Sequence, residues 1–127
     1  ATLFNDLRCS ACHIPSMTTG GDHVYTYLRN QEIHPFSDLL LHDMGAALAD
    51  DRPDYLATGN EWRTQPLWGL GLIKGVNGHT YLLHDGRART VEEAILWHGG
   101  EAENSTAAFK KLSATEREAL LAFLNSL

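Results

Sequence analysis

The two cysteines of this 127-residue chain stand three positions apart, and a histidine follows the second: Cys9-Ser10-Ala11-Cys12-His13. A single close pair cannot brace a fold with a long-range disulfide framework, so the chemistry of these thiols is local. A disulfide across so small a loop stabilises little. A thioredoxin-like pair needs a strand–helix setting, and no βαβ pattern precedes Cys9. A structural zinc site takes four ligands, and the chain has no second Cys-x-x-Cys and no His-x-x-x-His. The spacing is that of haem c attachment. Thiols at i and i+3 share one helix face and reach the two vinyl groups on one porphyrin edge, and the next residue brings an imidazole beneath the ring. Cys9 and Cys12 are therefore the expected attachment points, His13 the proximal iron ligand, and one covalent haem c the cofactor. A large flat cofactor then forms much of the core, and the rest of the chain must wrap it. Because haem c is joined to reduced thiols outside the cytoplasm, a periplasmic or otherwise extracytoplasmic location is expected.

Composition agrees with a small globular unit: 43% hydrophobic residues and a formal net charge of −6. An acidic chain without a Lys/Arg cluster is a poor nucleic-acid binder but can be steered toward a basic redox partner. No apolar run approaches the ~18 residues of a membrane span. No basic-then-apolar leader is visible, and the chain opens directly on a helix-forming segment, as a mature product or an excised domain would.

Along the chain, Thr2 can cap a first helix reaching about Cys12, with Leu3, Phe4 and Leu7 inward. Pro15 and Gly20-Gly21 then break it. Residues 23–41 read as one or two short strands or irregular segments, and residues 50–54 as a polar turn. Glu61 to Gly75, rich in Trp, Pro and Gly and including Trp68, reads as a structured loop laid on something flat. Asn77-Gly78 signals a turn. Thr90 with Glu93 forms a capping box before a helix carrying Val91, Ala94, Ile95 and Trp97, which Gly99-Gly100 ends. A short helix is expected over 101–112. Ser113 with Glu116 opens a last helix with Leu120, Leu121, Phe123, Leu124 and Leu127 inward. The fold expected is mainly α: a cytochrome-c-like single domain over 1–127, with long haem-wrapping loops and room for a short β-hairpin.

Six other histidines (His23, His34, His42, His79, His84, His98) and two methionines (Met17, Met44) compete for the second axial position. Met17 is only four residues from His13, too close to reach the opposite haem face easily. Met44 precedes Gly45 near a turn and stays open as an alternative that would raise the potential. His98 ends a capped helix beside two glycines that admit close backbone approach to a flat ring, which suits a ligand. His84, in a His-Asp-Gly turn, suits backbone satisfaction. Arg63 and Arg87 can pair with haem propionates or remain solvated.

These segments together resemble the C-terminal haem domain of the bacterial di-haem thiol-oxidoreductase-like (putative peroxidase) family, relatives of the di-haem cytochrome c peroxidases. The residues that carry the resemblance are 9–13 with Pro15, Ser37 to Gly45, Glu61 to Gly71, Leu83 to Thr90 and Glu92 to Ala102. The resemblance implies a distal ligand just after the helix that follows the His-Asp-Gly turn. That position holds Met in the peroxidases, Tyr in a related maturation enzyme and His98 here, so bis-histidine ligation by His13 and His98 is implied. It also implies haem contact for Arg63. The family has two haem domains, whereas this chain has one Cys-x-x-Cys-His, and the peroxidase reaction site belongs to the N-terminal haem domain. The family's activity is therefore not carried over.

Two functions follow. In the first, both axial positions are filled and the haem edge passes electrons to a redox partner or a second haem domain. In the second, the distal face opens, a small ligand binds, and His42, His84 or Glu61 supplies acid–base chemistry. A ligand-swapping sensor using Met44 lies between them. Electron transfer is the favoured reading, and an exposed haem edge could also bury itself against a second copy.

Overall fold

The structure, a computed structural model, describes residues 1–127. Its core is built from the two chain ends. Helix α1 (Thr2–Asp6) places Phe4 and Leu7 against Leu120 and Leu124 of helix α5 (Ala114–Leu124), with Phe109 of helix α4 (Glu103–Lys110) completing the cluster. The aromatic rings meet edge to face, Phe4 at 5.5 Å from Phe123 and 5.9 Å from Phe36. α5 starts where the sequence marks it: Ser113 accepts from the Glu116 N–H, and the Glu116 carboxylate accepts from the Ser113 N–H.

The expectation of a mainly α, cytochrome-c-like domain is not met. The molecule is a mixed small domain of five α-helices, five short 3-10 turns and two small antiparallel sheets. No α-helix lies between α1 and helix α2 (Ile73–Asn77). All four prolines fall in that stretch, and Arg8, Asn30, Phe36, Leu39, Asp51 and Tyr55 adopt positive φ there. Each breaks the i→i−4 ladder, so the backbone pairs in short ribbons instead. Strand β1 (Met17–Thr18) pairs with β2 (Glu32–Ile33), and β3 (Leu41–Asp43) pairs with β4 (Glu61–Arg63).

The register of the second ribbon sets Leu41 opposite Arg63 and His42 opposite Trp62. Alternation then puts His42 and Trp62 on one face and Leu41 and Arg63 on the other. Helix α3 (Val91–Trp97) follows, with Thr90 accepting from the Glu93 N–H. Its capping box is only half formed, since the Glu93 carboxylate accepts from Arg89 N–H rather than from Thr90. The first helix also falls short of Cys12. It ends at Asp6, Arg8 turns the chain at φ 61°, and Cys9–Ala11 form a single 3-10 turn.

Candidate functional site

The 3-10 turn keeps the property that matters. With three residues per turn, positions i and i+3 eclipse, so Cys9 and Cys12 share one edge. Both thiols are free and half-buried. Burial pushes both upward, with Cys12 adding to the rise at Cys9, and Asp38 and Glu101 adding to that at Cys12. The pair is held as neutral thiols.

The segment that follows β2 is clipped onto this turn. Ser37 N–H donates to the Ile14 carbonyl at 3.0 Å and Asp38 N–H to the Cys12 carbonyl at 2.8 Å. The Phe36 carbonyl, aimed by a φ of 53°, accepts from Nδ1 of His13 at 2.9 Å. That bond fixes the ring and its tautomer and leaves Nε2 without a partner in the chain. Burial pushes the His13 imidazole down, and the nearby His98 adds to this against the Phe36 bond. His13 is therefore neutral, the form that ligates metal.

His98 is arranged in the same way. It caps the C-terminus of α3, and its Nδ1 donates to the Ala94 carbonyl at 2.7 Å, again leaving Nε2 free. Burial pushes it down as well. Buried Thr106 of α4 donates to the carbonyls of Ile95 and His98, locking the end of the helix. The glycines after His98 permit close backbone contact: a Cβ on Gly99 would lie 3.0 Å from the Met44 carbonyl, and one on Gly100 would strike the Asp43 carbonyl. The backbone around His98 is thereby pressed onto the end of β3. Met44, Trp97 and His98 line one cleft of about 500 Å³.

Between the two histidine segments stands His42. Its Nε2 lies 2.7 Å from Asp38 and its Nδ1 2.9 Å from Glu101. The bond to Glu101 and then that to Asp38 raise its proton affinity against burial. Asp38 is held down, despite burial, by the Leu40 N–H and by His42, and Glu101 by His42 and the Asp43 N–H. The Cys12 sulfur and the ligating atoms of Asp38 and His42 lie within 4.8 Å of one another.

The remaining candidates scatter. Arg63 is exposed on β4 and lines a hollow of about 330 Å³ with Arg52, Asp50, Asp54 and Glu61. Arg87 is engaged by Asp85 at 2.6 Å and by the Ala47 carbonyl, and stacks over Trp97 at 4.9 Å. Trp68 and Pro15 are exposed. His84 stacks face to face on Trp62 at 3.5 Å. Met17 sits in β1. The sequence reading missed the parts played by Ser37, Asp38 and Glu101. The bond from Glu101 to His42 spans 59 positions, and no local pattern announces it.

These residues fit a haem. Two eclipsed thiols and two neutral imidazoles with unpartnered Nε2 atoms form the donor set. Only 11 of 127 residues are buried, while Leu40, Leu41, Leu56, Trp68 and Leu72 are each more than half exposed. So thin a core suits a chain whose apolar surface closes on a large group.

No curated protein and no solved structure matches the chain. The family model described as "Di-haem oxidoreductase, putative peroxidase" matches residues 1–127, the whole of this chain. The chain therefore belongs to the di-haem oxidoreductase family, and haem-associated redox chemistry is its business.

Proposed function

We propose that this chain is an extracytoplasmic electron-transfer unit. Cys9 and Cys12 would hold one haem c through thioethers, and His13 and His98 would ligate its iron. The observation that carries this reading is the matched pair of imidazoles. Each has Nδ1 tied to a backbone carbonyl and Nε2 left free, and the two are close enough for the charge of one to depress the other. When bound, the haem supplies a one-electron ferric/ferrous couple. The chain's residues orient both imidazoles, keep them neutral and hold carboxylates near the Cys12 edge, which favour the more positive oxidised state. Two histidines and nearby negative charge point to a lower potential than a His–Met site has. Arg63, exposed and without an ion-pair partner, is the guanidinium assigned to a propionate. The net charge of −6 suits a basic redox partner or a second haem domain.

A second reading, catalysis at an exchangeable distal position, rests on the cleft that sets Met44 beside His98. Optical and EPR spectra of the wild type and His98→Ala separate the two. Low-spin wild-type signals that turn high-spin in the variant establish His98 ligation. A high-spin wild type, or spectra untouched by the substitution, removes His98 and gives weight to the exchangeable site.

A further inference from the structure

His42 joins the two halves of the site through side chains. On one side it bonds Asp38, whose N–H is clipped to the Cys12 carbonyl and whose side chain is 7% exposed. On the other it bonds Glu101, three residues beyond His98. Glu101 grips β3 twice, with Oε2 on His42 and Oε1 accepting from the Asp43 N–H at 2.9 Å. The His13 segment and the His98 segment are thus connected by an Asp38–His42–Glu101 bridge.

We propose that His42 is a positioning residue for the distal ligand, the bridge setting how firmly the His98 segment is held toward the His13 segment. The inference rests on the ligation proposed above. Its consequence is a barrier to exchange at the distal position. An incoming small ligand must displace His98, and His98 can swing away only as far as the segment anchored by Glu101 allows. Asp38 is half of the device because it anchors the imidazole to the attachment turn rather than to solvent. Cys12 and Trp62 also border the imidazole, and His13, held neutral, lies near enough to feel its charge.

The test is the rate at which cyanide binds the ferric haem-loaded protein, followed optically, together with its EPR spectrum. Glu101→Ala removes both grips from a half-exposed side chain, so folding is not at stake. Cyanide binding is expected to quicken by at least about tenfold, the scale of losing one charge-assisted bond, since both grips are lost. Glu101→Gln, which can still accept from the Asp43 N–H, is expected to recover part of the slow rate. His42→Gln, which leaves Glu101 on the Asp43 N–H, is expected to quicken binding by less than Glu101→Ala does. Thr90→Ala, which weakens α3 without touching the bridge, separates positioning from general loosening. If it accelerates cyanide binding as much as Glu101→Ala does, the inference is overturned. Rates and EPR signals in Glu101→Ala and His42→Gln that equal the wild type overturn it too. In both of those cases a low-spin wild type that turns high-spin with His98→Ala leaves the ligation reading standing, whereas a wild type unaffected by His98→Ala overturns both.

Discussion

Replacing Ser37 by alanine tests how the attachment turn is held. Ser37 is fully buried, donates its hydroxyl to the Thr64 carbonyl at 2.8 Å and accepts from the Leu39 N–H at 2.9 Å. Alanine leaves both groups without that partner. The Thr64 carbonyl belongs to a buried residue, so it bears the desolvation penalty of an orphaned buried acceptor, about 1–3 kcal/mol. Leu39 is 44% exposed, so its N–H regains water and adds about 1 kcal/mol at most. A loss of about 1–4 kcal/mol follows, roughly 4–15 °C in Tm for a chain of this size. Denaturant unfolding of the haem-loaded protein, followed by far-UV circular dichroism, measures it. Ser113→Ala, which removes an exposed cap worth about 1 kcal/mol, sets the scale. A Ser37→Ala loss no larger than that of Ser113→Ala refutes the reasoning, because the hydroxyl would then carry no more than a surface cap.

Three further outcomes are expected. Gly100→Ala, at φ 52° with its Cβ driven into the Asp43 carbonyl, destabilises by more than about 2 kcal/mol and shifts the His98-dependent EPR signal. Gly75→Ala, with open space at a helical position, instead stabilises by roughly 0.5–1 kcal/mol, and equal melting curves for the two variants would contradict this. The bridge also gives stability a pH signature. His42 has its folded value raised, so its contribution is complete below its ordinary 6.5 and fades as pH rises through the folded value. Asp38 and Glu101 have theirs lowered, so their contribution is present above the ordinary carboxylate range and fades on acidification. The wild type therefore exceeds His42→Gln most between about pH 5 and pH 6.5, and parallel stability curves across pH 4–9 would exclude the bridge as a stabilising element.

The parts of the site that could be read from the chain are those encoded locally. Cys9 and Cys12 are recognisable because the chemistry proposed for them depends on a spacing of three, which a 3-10 turn serves as well as the helix expected there. Capping signals at Ser113 and Thr90 placed the starts of α5 and α3, and Gly99-Gly100 marked the end that presents His98, because caps answer to residues within one turn. The helix expected over 101–112 survives as α4, shortened at both ends.

The middle of the chain was not legible in this way. From Leu7 to Leu72 the backbone has too many prolines and left-handed residues for a periodic signal, and a mainly α expectation failed there. Its order comes instead from pairings between distant residues, such as Leu41 with Arg63 or Ser37 with Thr64.

The sequence by itself determined the chemistry available: a reduced Cys-x-x-Cys-His run with the spacing of haem c attachment and a histidine at a helix end. Tertiary structure decided which groups attend that chemistry. It turned the Phe36 carbonyl onto His13, tied His98 to the Ala94 carbonyl, and joined Asp38 and Glu101 through His42. A local pattern fixes backbone conformation within a few residues. The position of a carboxylate 59 residues from its partner is decided only when the chain closes on itself.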